Sequence, residues 1–201
     1  ELLSCLFNGE MRPVLRPTSD IGHYLPYRRV SFGLEALEQA SLGAGKDFSA
    51  LLSLKDYPPH ATPGMCDALL RLPFEMTLTE SFAFVDRQIG LERVNLALRR
   101  MRAADEEALS LRQGLMNAKD DLATGAVGLG EHHLSVLVRA GSLAALDPAV
   151  AQALAALADL GAVAVREDVN LEPAFWAQFP GNEAYIARKA LISTSAYASF
   201  A

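Results

Sequence analysis

The sequence predicts an α+β fold, a ferredoxin-like split βαβ antiparallel sheet with a long helical-hairpin insertion. One observation is a strand–helix–strand pattern that occurs twice, on either side of a long helical segment. The other is the position of that segment between the second and third predicted strands, which are neighbours in a sheet of this kind. A helical hairpin can be inserted between neighbouring strands without disturbing the sheet.

The composition is that of a globular protein. The chain has 201 residues, of which 51% are hydrophobic and 21% charged, enough to bury one sizeable core. A net charge of -6 argues against a dedicated nucleic-acid surface, because phosphate binding relies on clustered Lys and Arg. No apolar run approaches the roughly 20 residues that cross a bilayer, and the first residues lack the features of a secretory signal. We therefore expect a cytosolic chain and, because it starts inside an apolar segment without Met, a part of a longer protein.

Residues 1–47 are predicted to form an N-terminal helix, loops and one or two strands. A short apolar helix spans Leu2 to Phe7 and ends at Asn8-Gly9. A loop rich in proline leads to a strand at Arg28 to Phe32. Residues 34–40, LEALEQA, fit either a helical turn or a second strand, and a Gly-rich connection follows.

Residues 48–168 are predicted to form the ferredoxin-like domain, and its first half has three elements. A strand from Phe48 to Tyr57 is stopped by Pro58. A helix begins at Thr62-Pro63, where a hydroxyl can cap it and proline suits the first helical position. A strand from Phe74 to Phe84 follows, with alternating apolar and polar residues.

A helical segment occupies about residues 86–124, which contain no proline and few β-branched residues. One straight helix would be about 58 Å long, too long for the flanking strands to meet again. We therefore predict a hairpin. A cluster of Arg99, Arg100 and Arg102 would end one helix, and the acidic residues at 105–107 would begin the next. The same charges also fit i,i+4 pairs on an unbroken helix, so that alternative stays open.

The second half of this domain repeats the pattern of the first. His133 to Ala140 alternate like a strand, a helix opens at Asp147-Pro148 and closes at Gly161, and residues 162–168 form the last strand. Residues 169–201 are predicted to be a closing segment. Its anchor residues are Phe175, Trp176, Pro180 and Gly181, with Trp176 buried against the sheet.

The stretch ASLGAGKD, Ala40 to Asp47, is close to the phosphate-binding loop of an NTPase. Such a loop needs a Ser or Thr after its lysine to hold Mg²⁺, but Asp47 follows Lys46, and Ala40 replaces the first glycine. A strand is also predicted after it, where a phosphate loop opens a helix. We interpret Gly43 to Lys46 as a turn. A self-contained nucleotide-binding enzyme that uses Lys46 is the alternative.

Histidine and cysteine residues do not form a recognisable site. Glu131, His132 and His133 are adjacent at a strand start, which directs neighbouring side chains to opposite faces. Cys5 and Cys66 each lie in an apolar stretch, so we predict buried, reduced thiols. The sequence therefore predicts no catalytic, cofactor-binding or metal-binding residue.

Arg99, Arg100 and Arg102, with Arg93 nearby, form the only basic concentration in the sequence. A solvated helix end explains them. Arg99, Arg100 and Arg102 are also the candidate interaction residues for an acidic partner. A module that contacts DNA through these three arginines is a further alternative.

The end of the chain resembles the N-terminal domain of the CagE/TrbE/VirB family of type IV secretion and conjugation ATPases. The resemblance rests on FWAQFPGN, Phe175 to Asn182, and on LTESFAFVDRQ, residues 78–88. Weaker landmarks occur in the same order, and the resemblance covers essentially the whole chain. After Ser193 the chain has Thr194-Ser195-Ala196-Tyr197, where the family pattern leads us to expect Ser and then Asn-Phe.

This resemblance implies a separated N-terminal portion of a motor protein. The ATP and Mg²⁺ sites would lie in an absent C-terminal domain, so no catalytic residue transfers to this chain. It implies a cytoplasmic location, peripheral to the bacterial inner membrane. The expected partners are inner-membrane subunits of the secretion channel and further copies of the protein, usually in a hexamer.

Overall fold

The structure, a computed structural model, describes residues 1–41, 45–103 and 109–200. It confirms the predicted α+β class, with one seven-stranded antiparallel sheet and several helices. The strands are β1 (Arg29–Phe32), β2 (Leu37–Ala40), β3 (Lys46–Asp56), β4 (Met76–Val85), β5 (Leu129–Ala140), β6 (Val163–Arg166) and β7 (Ala190–Ser193). The helices are α1 (Leu2–Asn8), α2 (Asp67–Leu70), α3 (Arg87–Ala103), α4 (Leu109–Thr124), α5 (Leu143–Asp159), α6 (Leu171–Trp176) and α7 (Thr194–Tyr197).

The strand order is β1-β2-β3-β5-β4, with β6 paired to β3 and β7 paired to β5. Strands β2 and β6 share one edge of β3, where β2 pairs at Leu37↔Ser49 and β6 at Leu52↔Arg166. The other edge of β3 pairs with β5. The order β6-β3-β5-β4 is therefore the order of a split βαβ sheet, as predicted.

The structure settles one open alternative among the predicted elements and moves the starts of two helices. Residues 37–40 form a strand, which decides between the two alternatives for LEALEQA. The helix expected from Thr62 begins only at Asp67, because Gly64 adopts a left-handed φ of 76° that no right-handed helix contains. Helix α5 begins at Leu143, one turn before the predicted start, because the Ser142 hydroxyl accepts the Ala145 N–H at 3.2 Å and caps it.

The helical segment is a hairpin, as predicted, and not one long helix. Helix α3 ends at Ala103, α4 begins at Leu109, and the two pack against each other. The acidic residues that suggested the break, at 105–107, lie outside the described residues.

The chain divides into two compact units that are not consecutive in sequence. The first contains residues 1–60, 66–80 and 133–189, and the second contains residues 61–65, 81–132 and the residues from 190 onward.

Both faces of the sheet in the first unit are covered. Leu51 and Leu137 point to one face and pack with α1 and α6, in a cluster that includes Leu6 and Phe175. Their neighbours along the strands point to the other face, where α5 packs against β3 and β6. Segments near the two ends of the chain therefore complete one core.

The second unit has its own core inside the hairpin. It consists of Val94, Leu98, Leu122 and Leu129, with further leucines packed against them. The backbone of α3 at Gly90 lies close to two of these leucines, because a Cβ at this position would lie 3.1 Å from Leu122 and 3.2 Å from Leu129. This core fixes how the two helices face each other, and therefore which of their polar side chains meet.

Aromatic side chains cover a second glycine of this unit. The ring of Phe82 lies over Gly130 so closely that a methyl group there would overlap it. The same ring stacks on Tyr197, with centroids 4.5 Å apart. Within the described residues, no helix is both long and apolar enough to cross a membrane.

Candidate functional site

Lys46, the lysine of the stretch that resembles a phosphate loop, is the first residue of β3. Its Nζ lies 3.1 Å from Glu38 Oε2 and 5.2 Å from the centre of the Phe48 ring. Asp47 forms an ion pair with Arg28. Because Ala40 pairs with Lys46 across β2 and β3, the glycine-rich stretch connects two antiparallel strands. The middle of the turn that we predicted there, residues 42–44, lies outside the described residues.

The structure directs Glu131, His132 and His133 to different surroundings. Glu131 Oε1 accepts a hydrogen bond from Arg93 Nη1 at 3.0 Å. The fully buried His132 ring packs near Tyr197 and Phe200. His133 Nδ1 lies 2.8 Å from the carbonyl oxygen of Arg188. Across the described ranges, no group of three or more His, Cys, Asp or Glu side chains is arranged to hold a metal ion.

Both cysteines are free thiols, and the more buried one is held in its neutral form. Cys66 is 6% exposed, and its Sγ lies 3.8 Å from Glu80 Oε1. Burial, reinforced by the Glu80 carboxylate, raises the pKa of the Cys66 thiol to about 11. A thiol in this state is a poor nucleophile at neutral pH.

The candidate interaction residues separate into two groups on α3. Arg99 and Arg102 line a cavity of about 360 Å³, together with Leu98 and with Lys119 of α4. Arg100 does not line it, although the three arginines are almost consecutive in sequence. The reason is the helical repeat, since residues three apart share a side of the helix and the residue between them points elsewhere.

This cavity, which we call the hairpin groove, has an excess of positive charge. Its lining also includes Glu92, its one carboxylate, and Asn95. None of its three cations forms an ion pair with any residue in the described part of the chain. Arg93 differs, because Glu131 pairs with it. The groove is therefore an electropositive site with a buried apolar floor at Leu98.

The closing segment anchors unit 1 mainly through Phe175. This side chain is 0% exposed and contacts the rings of Phe32, Trp176 and Phe179. Trp176 is only partly buried, so it is a less complete anchor than we predicted. Pro180 is exposed, and Gly181 adopts a φ of 88°, which suits glycine in a turn after the helix.

Sequence reasoning missed Arg139, a buried cation in the middle of the first unit. Its side chain is nearly fully buried, with Nη1 donating to Thr77 Oγ1 at 3.1 Å and to Glu75 Oε1 at 3.3 Å. Its Nη2 donates to the carbonyl oxygen of Cys5 at 3.5 Å. The available signal was a single charge inside the apolar strand sequence HLSVLVRA.

A larger cavity of about 540 Å³ lies between the β1–β2 connection and the start of α5. Apolar and acidic side chains line it, and its one cation, Arg166, donates to Asp147 Oδ1 at 2.9 Å and to the Glu35 carbonyl at 2.8 Å. Its lining carries three carboxylates, Glu35, Glu38 and Asp147, against this one cation, so the cavity does not favour an anionic ligand.

Comparison with known proteins places these features in context. Residues 1–188 match the sequence profile of the CagE, TrbE, VirB family, whose members are components of the type IV transporter system. The type IV secretion system protein virB4 of Bartonella henselae is 36% identical over 199 residues, which are 99% of this chain and 25% of that protein. Protein virB4 of Agrobacterium tumefaciens is 33% identical over 202 residues, covering 100% of the chain and 25% of that protein. PtlC of Bordetella pertussis, also a type IV secretion system protein, is 29% identical over 197 residues, or 98% and 24%. The chain thus spans about a quarter of the length of the curated relatives it matches.

Proposed function

The chain belongs to the CagE, TrbE, VirB family of type IV transporter components, and from this membership we propose that it is an N-terminal assembly and docking module of a type IV secretion ATPase. The observation that carries the proposal is the family match over residues 1–188. Relatives named as type IV secretion proteins, of which the chain spans about a quarter, support it.

The distribution of side chains supports docking more than catalysis. In the first unit both sheet faces are buried, and Lys46 is held by Glu38 on a strand. In the second unit, the hairpin exposes the apolar side chains of Ile89, Leu96 and Met116 on the same two helices that carry the cations of the hairpin groove. Exposed apolar groups among charges are typical of a surface that binds another protein.

In this proposal the module holds the motor against inner-membrane subunits of the secretion channel, at the cytoplasmic side. ATP and Mg²⁺ would bind in a separate motor domain, and Lys46, which lies on a strand and pairs with Glu38, would take no part in that site. The complete protein would assemble with further copies of itself, usually as a hexamer, and would energise the transfer of DNA or protein.

Binding to individual channel subunits tests the docking role directly. The chain is co-expressed with each inner-membrane subunit of the same secretion system, and complexes are purified in detergent and weighed by light scattering. We expect a complex of defined stoichiometry with at least one subunit and none with a membrane protein of an unrelated transporter. If the complete protein binds a subunit and this chain binds none, docking resides elsewhere and the proposal is wrong.

A further inference from the structure

We propose that the hairpin groove is a binding site for an acidic segment of a partner protein, whose carboxylates pair with Arg99, Arg102 and Lys119. This inference adds to the docking role the kind of segment that binds. It rests on the proposed function only where it takes the partner to be a channel subunit. The preference of the groove for carboxylates follows from the structure of the hairpin alone.

The hairpin groove gathers positive charge from both helices. Arg99, Arg102 and Lys119 converge on one cavity from two helices, and none of them pairs with a carboxylate in the described residues. Cations held close together repel each other, and an anion between them removes that repulsion. Glu92 is the one carboxylate in the lining, and its Oε1 accepts a hydrogen bond from Gln88 Nε2 at 3.4 Å. The lining therefore keeps a surplus of positive charge.

The backbone of the hairpin groove is held by packed helices. The groove is built on helices and not on a loop, and its floor residue Leu98 belongs to the core that joins α3 to α4. Lys119 is partly buried, so its charge is screened less by water than that of an exposed lysine. The two packed helices consequently fix the backbone positions from which the three cations reach an anion, although the arginine side chains are exposed.

The size of the groove favours side chains over a polymer backbone. Its volume of about 360 Å³ equals that of roughly twelve liquid waters, enough for two carboxylate side chains. Arginine suits this ligand because its planar fork can pair with a carboxylate through two hydrogen bonds.

The surroundings of the groove disfavour nucleic acid. Residues 86–124 contain equal numbers of basic and acidic side chains, and the whole chain is negatively charged. A polyanion would be repelled outside the groove itself. The same residues include no aromatic side chain on which bases could stack. A short acidic protein segment requires positive charge only at the groove, and so fits the observed distribution better.

The test measures binding of a fluorescently labelled hexaglutamate peptide to the whole chain at low salt. We expect saturable binding that weakens at least about tenfold in the R99Q/R102Q variant, because two charge-assisted contacts are lost. Arg100→Gln and Arg112→Gln are matched controls, since both residues are exposed arginines of the hairpin outside the groove. Their affinities should stay within about twofold of wild type. Circular dichroism verifies that every variant is folded.

Several results would overturn this inference. Failure of the peptide to bind, or equal weakening by Arg100→Gln, would show that the groove has no preference for carboxylates. Tighter binding of a single-stranded oligonucleotide or of phosphatidylglycerol vesicles through Arg99 and Arg102 would assign the groove to phosphate instead. Binding that occurs only after Asp105, Glu106 and Glu107 are neutralised would show that the chain's own carboxylates occupy the groove.

The two proposals can fail separately. If a channel subunit binds the chain but hexaglutamate does not, docking stands and the groove is not the site. If hexaglutamate binds the chain through Arg99 and Arg102, and the complete protein binds a subunit that the chain does not, the groove is an anion site and the docking role is wrong.

Discussion

Replacement of Phe175 by alanine tests whether the closing segment holds the core of the first unit. The side chain is 0% exposed and lies against three aromatic rings, with centroids 5.2 to 5.7 Å away. A buried aromatic side chain removes about 150–250 Å² from water, which corresponds to about 4–6 kcal/mol of transfer free energy. Alanine retains part of that contact, and losses measured for such substitutions are about 3–5 kcal/mol. We expect a loss in this range.

The assay uses the single tryptophan of the chain, Trp176, which lies next to the substituted residue. Urea unfolding followed by its fluorescence reports on the first unit, and circular dichroism reports on the helices of both units. We expect a lower midpoint with an unchanged slope, because the surface exposed on unfolding is nearly the same.

Val169→Ala is the matched control, since this residue precedes α6 and is 87% exposed. Its effect should stay within about 0.5 kcal/mol. A loss below about 1 kcal/mol for Phe175→Ala would refute the reasoning, because it would mean that the closing segment is not packed against the sheet in solution.

Three further predictions concern single positions. Between pH 9 and 11 the Cys66 thiol ionises further in the unfolded chain than in the folded one, because burial raises its folded pKa to about 11, so stability falls as pH rises. Urea unfolding at both pH values should show a loss of up to about 2 kcal/mol beyond that of Cys66→Ala. Gly130→Ala should cost about 1–3 kcal/mol in thermal unfolding, because the Phe82 ring must move, whereas Gly114→Ala, at an open position on α4, should gain up to about 1 kcal/mol. Lys46→Ala should change stability by less than about 1 kcal/mol, because Lys46 forms an exposed ion pair. Calorimetric titration with ATP should be flat for the wild type and for this variant. Saturable ATP binding by the wild type that Lys46→Ala abolishes would contradict the docking proposal.

The elements with strong periodicity could be predicted from sequence. Strands β3 and β5 alternate or run apolar for most of their length, and residues 86–124 contain helix formers throughout. Element starts were harder, because Ser142 and Asp147 are both good helix caps and only the fold selects between them. Residues 37–40 contain helix formers, yet their pairing with β3 makes them a strand.

The groove could be predicted only in part. The sequence singles out Arg99 and Arg102 by their density, but it cannot separate them from Arg100 without the phase of the helix. Lys119 is remote in sequence and joins them only because of where α4 packs on α3. Arg139 was missed for the same reason, since its partners are remote in sequence: Thr77 lies on β4 and Glu75 just before it.

The core shared by α1 and α6 has a consequence for how the protein is made. Leu6 and Phe175 meet in one cluster although they are about 170 residues apart, so a ribosome adding about 5–20 residues per second releases the second roughly 10–30 s after the first. During that interval the sheet face at Leu51 and Leu137 has no α6 to cover it. Contacts between residues so distant in sequence also slow folding itself. Until α6 emerges from the ribosome, this apolar face of the nascent chain is therefore open to chaperones and to other unfolded chains.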